Sequence, residues 1–363
     1  MINVTKTYLP DIEKYQSYVK QIFESGWLTN NGRLIQELEG RLERYLGVKN
    51  LLLVANGTLA LQVAYKLLNL KGEVLTTPFS FVATTSSIVW EGLEPVFVDI
   101  HPDTLNIHPD LIEGKITNRT SAIVATHVYG NSCDIERIQT IARRHNLKVI
   151  YDAAHAFGVN YKGRSILDYG DISAISFHST KLFHTIEGGA LVINDDDLYE
   201  KAKKIINFGI ISPTEITELG INAKMNEFQA AMGLCVLDDI SKIMEQRKER
   251  EKIYMSAFNS IPGLQLQART PSSTNNYSHF PIILPNEQMV EDLISELNRQ
   301  GINPRRYFYP SLETLPYLST RQYVPIANDV SRRVLCLPMY GSLEEDIQKN
   351  IVDIVLSNIV YKI

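Results

Sequence analysis

The sequence predicts an α/β protein: a mostly parallel central sheet covered by helices on both faces, followed by a smaller α+β domain. Three observations lead there. From about residue 50 to 195, short β-rich apolar runs alternate with helical segments, the pattern of a sheet whose crossovers are helices. The polar residues with chemical potential cluster just after those runs. Beyond Ile193 the character changes to longer, more charged helical stretches with isolated strands.

The alternation begins with LLLV at 51–54, which leads into Asn56-Gly57-Thr58 and a helical pattern through Leu70. VLTT at 74–77 precedes the segment 81–91, and PVFV at 95–98 ends at Asp99. SAIVAT at 121–126 precedes DIERIQTIARRHN, where Asp134 is suited to cap a helix N-terminus. LKVIYD closes on Asp152, DISAISF leads to Ser176 and Phe177, and GALVI follows Gly188. Residues 195–207 and 223–259 read as helical. A loop around Pro262-Gly263 and Arg269–Ser273 follows. FPIIL at 280–284, a helical pattern at 286–300, a Pro- and Tyr-rich loop at 304–325, LCLP at 335–338 and a last helix from Leu343 complete the chain. The domain boundary is expected near residue 240, giving 1–240 and 241–363.

In open α/β sheets, ligands bind beyond the carboxyl ends of the strands. Asn56, Asp152 and Lys181 all fall at such ends. A lysine can hold an aldehyde covalently and later carry a proton between carbon atoms. A buried carboxylate can keep a pyridine nitrogen protonated. Those two needs belong together in pyridoxal 5'-phosphate (PLP) chemistry. A lysine is ordinarily a surface residue, but the SF before Lys181 and the EGGA after it favour burial. Asp152 could also simply cap the segment after it. His155, three residues on, is placed to hydrogen-bond the cofactor's phenolic oxygen, or to serve as a structural histidine. Gly57 and Thr58 open a helix after a strand and offer N–H donors for a phosphate, although N-G-T also reads as an ordinary turn. Ser176 adds a hydroxyl, and Phe81 a ring face that would otherwise be core.

Composition narrows the class. The chain has 363 residues, 44% hydrophobic and 21% charged, with a net charge of −5, an ordinary globular balance. The negative charge argues against nucleic acid or an anionic membrane as partner. No apolar stretch approaches the ~20 residues of a membrane span, and the first residues do not begin a signal peptide. Cys133, Cys235 and Cys336 lack metal spacing and read as reduced core residues of a cytoplasmic protein; no metal site is expected.

Ordered blocks along nearly the whole chain resemble the DegT/StrS family of PLP-dependent sugar-nucleotide aminotransferases. They begin with Ser25-Gly26-Trp27-Leu28-Thr29 and Leu38-Glu39. Asn56-Gly57-Thr58-Leu59-Ala60-Leu61, Glu94–Asp99 and His127-Val128-Tyr129-Gly130 follow. Next come Asp152-Ala153-Ala154-His155, Ser176-Phe177-His178 with Lys181 and Glu187-Gly188-Gly189, then Gly220–Met225 and Leu335-Cys336-Leu337-Pro338. The resemblance implies PLP fold type I, with Lys181 as the covalent anchor and Asp152 as the ring-nitrogen partner. It implies His155 on the phenolic oxygen, Phe81 stacked on the ring, and Gly57, Thr58 and Ser176 around the phosphate. Asn222 matches a residue that reaches the phosphate from a neighbouring subunit, which implies a homodimer with shared active sites. Lys224 stands where the family has Arg, and Ala223 where it has an aromatic.

SFHSTKLFHTIEGGAL resembles the enzymes that aminate C-4, most nearly those making dTDP-4-amino-4,6-dideoxyglucose for surface polysaccharides. Thr29, His178 and Tyr309 fall where such relatives contact the sugar nucleotide, and L-glutamate is the implied donor. A galacto product, amination at C-3, and a UDP- or GDP-sugar are neighbouring readings. A non-catalytic PLP-binding regulator is the reading from another class.

Overall fold

Seven short strands, within the residues 1–360 that the computed structural model describes, make the sheet that carries the site. They are Leu51–Val54 (β1), Glu73–Thr76 (β2), Glu94–Phe97 (β3), Thr120–Thr126 (β4), Lys148–Asp152 (β5), Ile172–Ser176 (β6) and Gly189–Ile193 (β7). Their spatial order is β1-β7-β6-β5-β4-β2-β3. All neighbouring pairs are parallel except the two that involve β7. The register explains why chemistry gathers at one edge. Gly189, where β7 starts, pairs with Val54 and Ser176, where β1 and β6 end. Asp152, the last residue of β5, pairs with Thr126 and Ala174.

The strands are apolar on both faces because both faces are covered. Side chains alternate across a strand. Leu51 and Leu53, Ile123 and Ala125, and Val149 and Tyr151 therefore join one core, with the helices Arg33–Leu46, Ile135–His145 and Glu227–Asp238. Leu52 and Val54, Val124 and Ile150 join the other, with Gly57–Leu67 and Asp196–Ile205. Asp134 accepts from Arg137 N at 3.2 Å, the cap expected from the sequence.

The stretch read as one helix over 223–259 is two, Glu227–Asp238 and Ile240–Phe258, which break at Asp239. Asp239 leaves the helical region, with φ −98° and ψ 2°. The loop read at 304–325 gives way to a helix, Pro325–Arg333, that the sequence reading did not contain. Two N-terminal helices, Ile12–Ser25 and Arg33–Leu46, were likewise not anticipated.

The C-terminal part centres on an antiparallel sheet of Gln265–Leu266 (β8), Phe280–Ile283 (β9) and Val334–Leu337 (β10). The helices Glu287–Arg299 and Glu345–Val360 accompany it, over a core that includes Tyr254, Phe280, Leu293, Leu335 and Val355. A fourth apolar cluster joins the two parts: Phe79, Phe97 and Tyr129 pack with Phe308, Val324 and Cys336. Arg305 N donates to Cys336 O at 3.2 Å and Cys336 N donates back at 2.8 Å. These bonds fix the segment 305–308 beside the carboxyl edge of the large sheet. All three cysteines are buried and free. Among the described residues no helix is long and apolar enough to cross a membrane, and no His/Cys/Asp/Glu group is arranged to hold a metal.

Candidate active site

Lys181 sits on the loop that leaves β6, and buried aromatics on both sides pin that loop. Phe177 and Phe183 meet edge to face at 4.8 Å, and Phe157 stacks on Phe183 at 4.6 Å. Burying each such ring is worth about 1.5–3 kcal/mol, enough to hold a short loop in one shape. Backbone bonds close it, Lys181 N to His178 O at 2.8 Å and Phe177 N to Gly188 O at 2.8 Å. Position 188 must be glycine, since a Cβ there would lie 1.9 Å from Thr185 Oγ1. The result presents the lysine amine to a cavity of about 260 Å³ at the sheet's carboxyl edge.

The same cavity is lined by Asn56, Gly57, Thr58, Phe81, Asp152, Ala154, His155, Ser176, His178 and Glu187 from the large sheet's loops. His279, Arg305, Tyr307 and Phe308 line it from the C-terminal part. Asp152 is buried. Its Oδ2 accepts from Thr84 Oγ1 at 2.6 Å and its Oδ1 from Ala154 N at 3.1 Å. Burial raises the Asp152 pKa, against the two hydrogen bonds and the charge of Lys181. Burial also pushes the Lys181 amine down to about 8, opposed by Asp152 and reinforced by Arg305. The two groups feel each other across the cavity, yet Lys181 makes no ion pair or hydrogen bond through its amine among the described residues. The space between them is left for something else.

That space fits PLP. At the phosphate end, Asn56 caps the helix Gly57–Leu67 by accepting from Leu59 N at 2.9 Å. The N–H groups of Gly57 and Thr58, the first two of the helix, make no hydrogen bond among the described residues, and both residues line the cavity. A Cβ at Gly57 would come 3.0 Å from Ser176 Cβ, so glycine brings the helix start and the strand end together. Asp152 is placed for a ring nitrogen and Lys181 for an aldehyde. His155 is buried and has no side-chain hydrogen bond, with an orphaned Nδ1. Burial, Lys181 and His279 hold it well below its ordinary pKa, hence neutral. His178 Nδ1 accepts from Thr180 N at 3.2 Å, which assigns the proton to Nε2, 3.5 Å from Glu187 Oε1.

The structure does not bring every anticipated residue into this cavity. Thr29 lies in an exposed bend, and Tyr309 is exposed with its ring under the Arg306 guanidinium at 3.6 Å. Asn222 is exposed and bridges Asn207, outside the cavity of the single chain. Lys224, the departure from Arg, donates to Asn207 Oδ1 at 2.8 Å and so braces the turn that carries Asn222. The sequence reading missed Thr84, His279 and Arg305. Nothing local marks them; His279 and Arg305 reach the cavity by tertiary packing, and Thr84 reaches Asp152 in the same way.

An amine with a pKa of about 8 sets a testable pH profile. Only the neutral amine attacks an aldehyde, so the rate at which apo-protein captures PLP should rise with pH and level off above about 8. An ordinary lysine would keep rising to about 10.4. Stopped-flow absorbance across neutral to alkaline pH reads this directly.

Similarity to known proteins agrees with the geometry. The chain is 43% identical over 356 residues to a dTDP-4-amino-4,6-dideoxy-D-glucose transaminase of Shigella dysenteriae, covering 97% of both chains. It is 40% identical over 366 residues to the Escherichia coli transaminase of the same name, covering 98% of both. Its fold matches the crystal structure of DesI in the presence of its TDP-sugar product, with a TM-score of 0.92 and 31% identity. That match covers 98% of this chain and 93% of the other. With residues 10–356 matching its defining pattern, the chain belongs to the DegT/DnrJ/EryC1/StrS aminotransferase family and is a PLP-dependent sugar-nucleotide aminotransferase.

Proposed function

We propose that this protein is a cytoplasmic enzyme that moves the amino group of L-glutamate to C-4 of dTDP-4-dehydro-6-deoxyglucose, forming dTDP-4-amino-4,6-dideoxyglucose. The observation that carries the reading is the end-to-end identity of 40–43% with two transaminases named for that product. The lysine–aspartate cavity supports it. By comparison, a GDP-perosamine synthase of Escherichia coli O157:H7 is 33% identical over 345 residues.

Bound PLP supplies an electron-accepting ring, which lets a proton leave the carbon attached to nitrogen. The residues of this chain supply the rest. Lys181 would hold the aldehyde, then, once displaced by the amino donor, take the proton from the donor's α-carbon. In the second half its amine delivers a proton to C-4 of the sugar. A pKa of about 8 suits both directions, because neither protonation state is prohibitive near neutral pH. Asp152 would keep a proton on the ring nitrogen. Gly57, Thr58 and Ser176 would hold the phosphate, Phe81 would cover the ring, and His155 would face the phenolic oxygen. Thr29, His178 and Tyr309 are assigned to the sugar nucleotide.

We read the active form as a homodimer in which Asn222 enters the partner's site. Exposed apolar side chains flank it: Phe208 at 49%, Ile216 at 69%, Leu219 at 73% and Ile221 at 41%. Such a concentration of exposed apolar residues marks a contact surface.

The deciding experiment incubates PLP-loaded enzyme and L-glutamate with dTDP-4-dehydro-6-deoxyglucose and, separately, with GDP-4-dehydro-6-deoxymannose. Proton NMR then identifies the product. An equatorial 4-amino group on the dTDP-sugar is expected. Faster turnover of the GDP-sugar, an axial amine, or nitrogen at C-3 would overturn the substrate assignment.

A further inference from the structure

We infer that Arg305 receives the α-carboxylate of the amino donor. The inference rests on the aminotransferase reading and names a contact within the same cavity.

Arg305 is a cation in the cavity wall without an anion. Other arginines of the C-terminal part have partners. Arg306 donates to Glu287 Oε1 at 2.7 Å and to Arg332 O at 2.8 Å, and Arg333 is paired with Asp329. The Arg305 guanidinium makes no ion pair or hydrogen bond among the described residues. The two acids lining the cavity are engaged elsewhere, Asp152 with Thr84 and Ala154, and Glu187 with His178. Its orientation is nonetheless set. The guanidinium lies over the Tyr307 ring, 4.2 Å from the centroid, and the backbone is clamped on both sides to Cys336. Its N–H groups, without a partner among the described residues, are of the kind that pairs with a carboxylate in two parallel bonds.

Position selects among the anions this enzyme meets. The positive charge of Arg305 is felt at the Lys181 amine and at His279. An amino donor carries its α-carboxylate one bond from the carbon that Lys181 must reach. A sugar nucleotide carries its diphosphate at C-1, across the hexose ring from C-4, so a diphosphate anchor belongs farther from that amine. The cofactor phosphate has separate donors at Gly57, Thr58 and Ser176. His279, held well below its ordinary pKa by burial and by Lys181, is neutral and does not compete as a cation. The arrangement also couples the two parts of the fold. The donor would be clamped between a lysine of the large sheet and an arginine of the C-terminal segment.

The test uses PLP-loaded wild type, Arg305→Gln and Arg305→Lys, each titrated with L-glutamate in the absence of sugar while the visible cofactor band is followed. Arg305→Gln should need roughly 10- to 100-fold more L-glutamate, the scale of losing hydrogen bonds to a charged group. Arg305→Lys should recover part of that. The response to 4-aminobutyrate, which lacks the α-carboxylate, should be the same in all three. Affinity for dTDP by calorimetry and PLP retained after dialysis should be unchanged. An unaltered L-glutamate titration in Arg305→Gln overturns the inference. So does a loss that falls on dTDP, which would assign the arginine to the diphosphate, or on PLP retention, which would assign it to the cofactor phosphate. A wild type whose band ignores L-glutamate would fail at the donor reading itself and take the inference with it.

Discussion

Lys181→Ala is expected to purify folded but without the visible band of lysine-bound PLP, and to lose turnover by on the order of 10⁴-fold or more. Two functions vanish together, the covalent hold on the aldehyde and the carrier of the transferred proton. Among the described residues no other lysine lines the cavity. Lys224 is tied to Asn207, and Lys201 and Lys203 are paired with Glu218 and Glu200. The fold should tolerate the change, because the loop is held by Phe177, Phe183 and backbone bonds rather than by the amine. Borohydride reduction followed by peptide mass analysis gives the clearest reading. In wild type the cofactor should be fixed on the peptide containing residue 181. In the variant no peptide should carry it, while the melting temperature stays close to wild type. Fixation on a different lysine with activity retained would end the assignment.

The large sheet was legible because its strands obey a local rule. Runs such as AIVA at 122–125 and VIY at 149–151 are apolar at every position, since both faces are buried, and each is followed by a polar residue at the edge where ligands bind. Direction is a different matter. GALVI is equally apolar on both faces, so nothing in it announces that β7 runs against its neighbours; only its pairing shows that. The helix Arg33–Leu46 could have been read, since Leu34, Ile35, Leu38, Leu42 and Leu46 repeat at helical spacing. The helix Pro325–Arg333 was obscured by its proline, which marks a first helical turn as readily as a loop. The site divides in the same way. Lys181, Asp152 and Gly57 stand at strand ends and follow from the sheet. Arg305 and His279 are delivered by packing Phe308 and Cys336 against Phe79, Phe97 and Tyr129. That contact joins segments some 200 residues apart in sequence, and no periodicity encodes it.

Asp152→Asn should separate chemistry from architecture. The side chain keeps its shape, and its surroundings can accept the exchange of an oxygen for an amide. Thr84 Oγ1 donates to Asp152 at 2.6 Å and also lies 2.7 Å from Ser80 Oγ, in a contact where either hydroxyl can donate. With an amide at 152, Thr84 can turn its hydrogen to Ser80 and accept instead. The variant should therefore keep its PLP, since the phosphate donors and Lys181 are untouched. Turnover should still fall by about 10²- to 10³-fold, the scale of losing one fixed electrostatic stabiliser. An amide carries no charge to keep a proton on the ring nitrogen. Stability should move the other way. The folded pKa of Asp152 is raised above its ordinary value of 3.8, mainly by burial. Wild-type apo-protein therefore loses stability as pH climbs from that value through the raised one, and above the raised one it carries the whole penalty. The uncharged variant escapes it. Apo Asp152→Asn should melt at or above wild type in neutral buffer, and its advantage should shrink as pH falls through the raised pKa and be gone below 3.8. A carboxylate kept for packing would show the reverse, a lower melting temperature with turnover preserved. Higher stability together with lost catalysis would mark Asp152 as a charge that the fold tolerates because the reaction needs it.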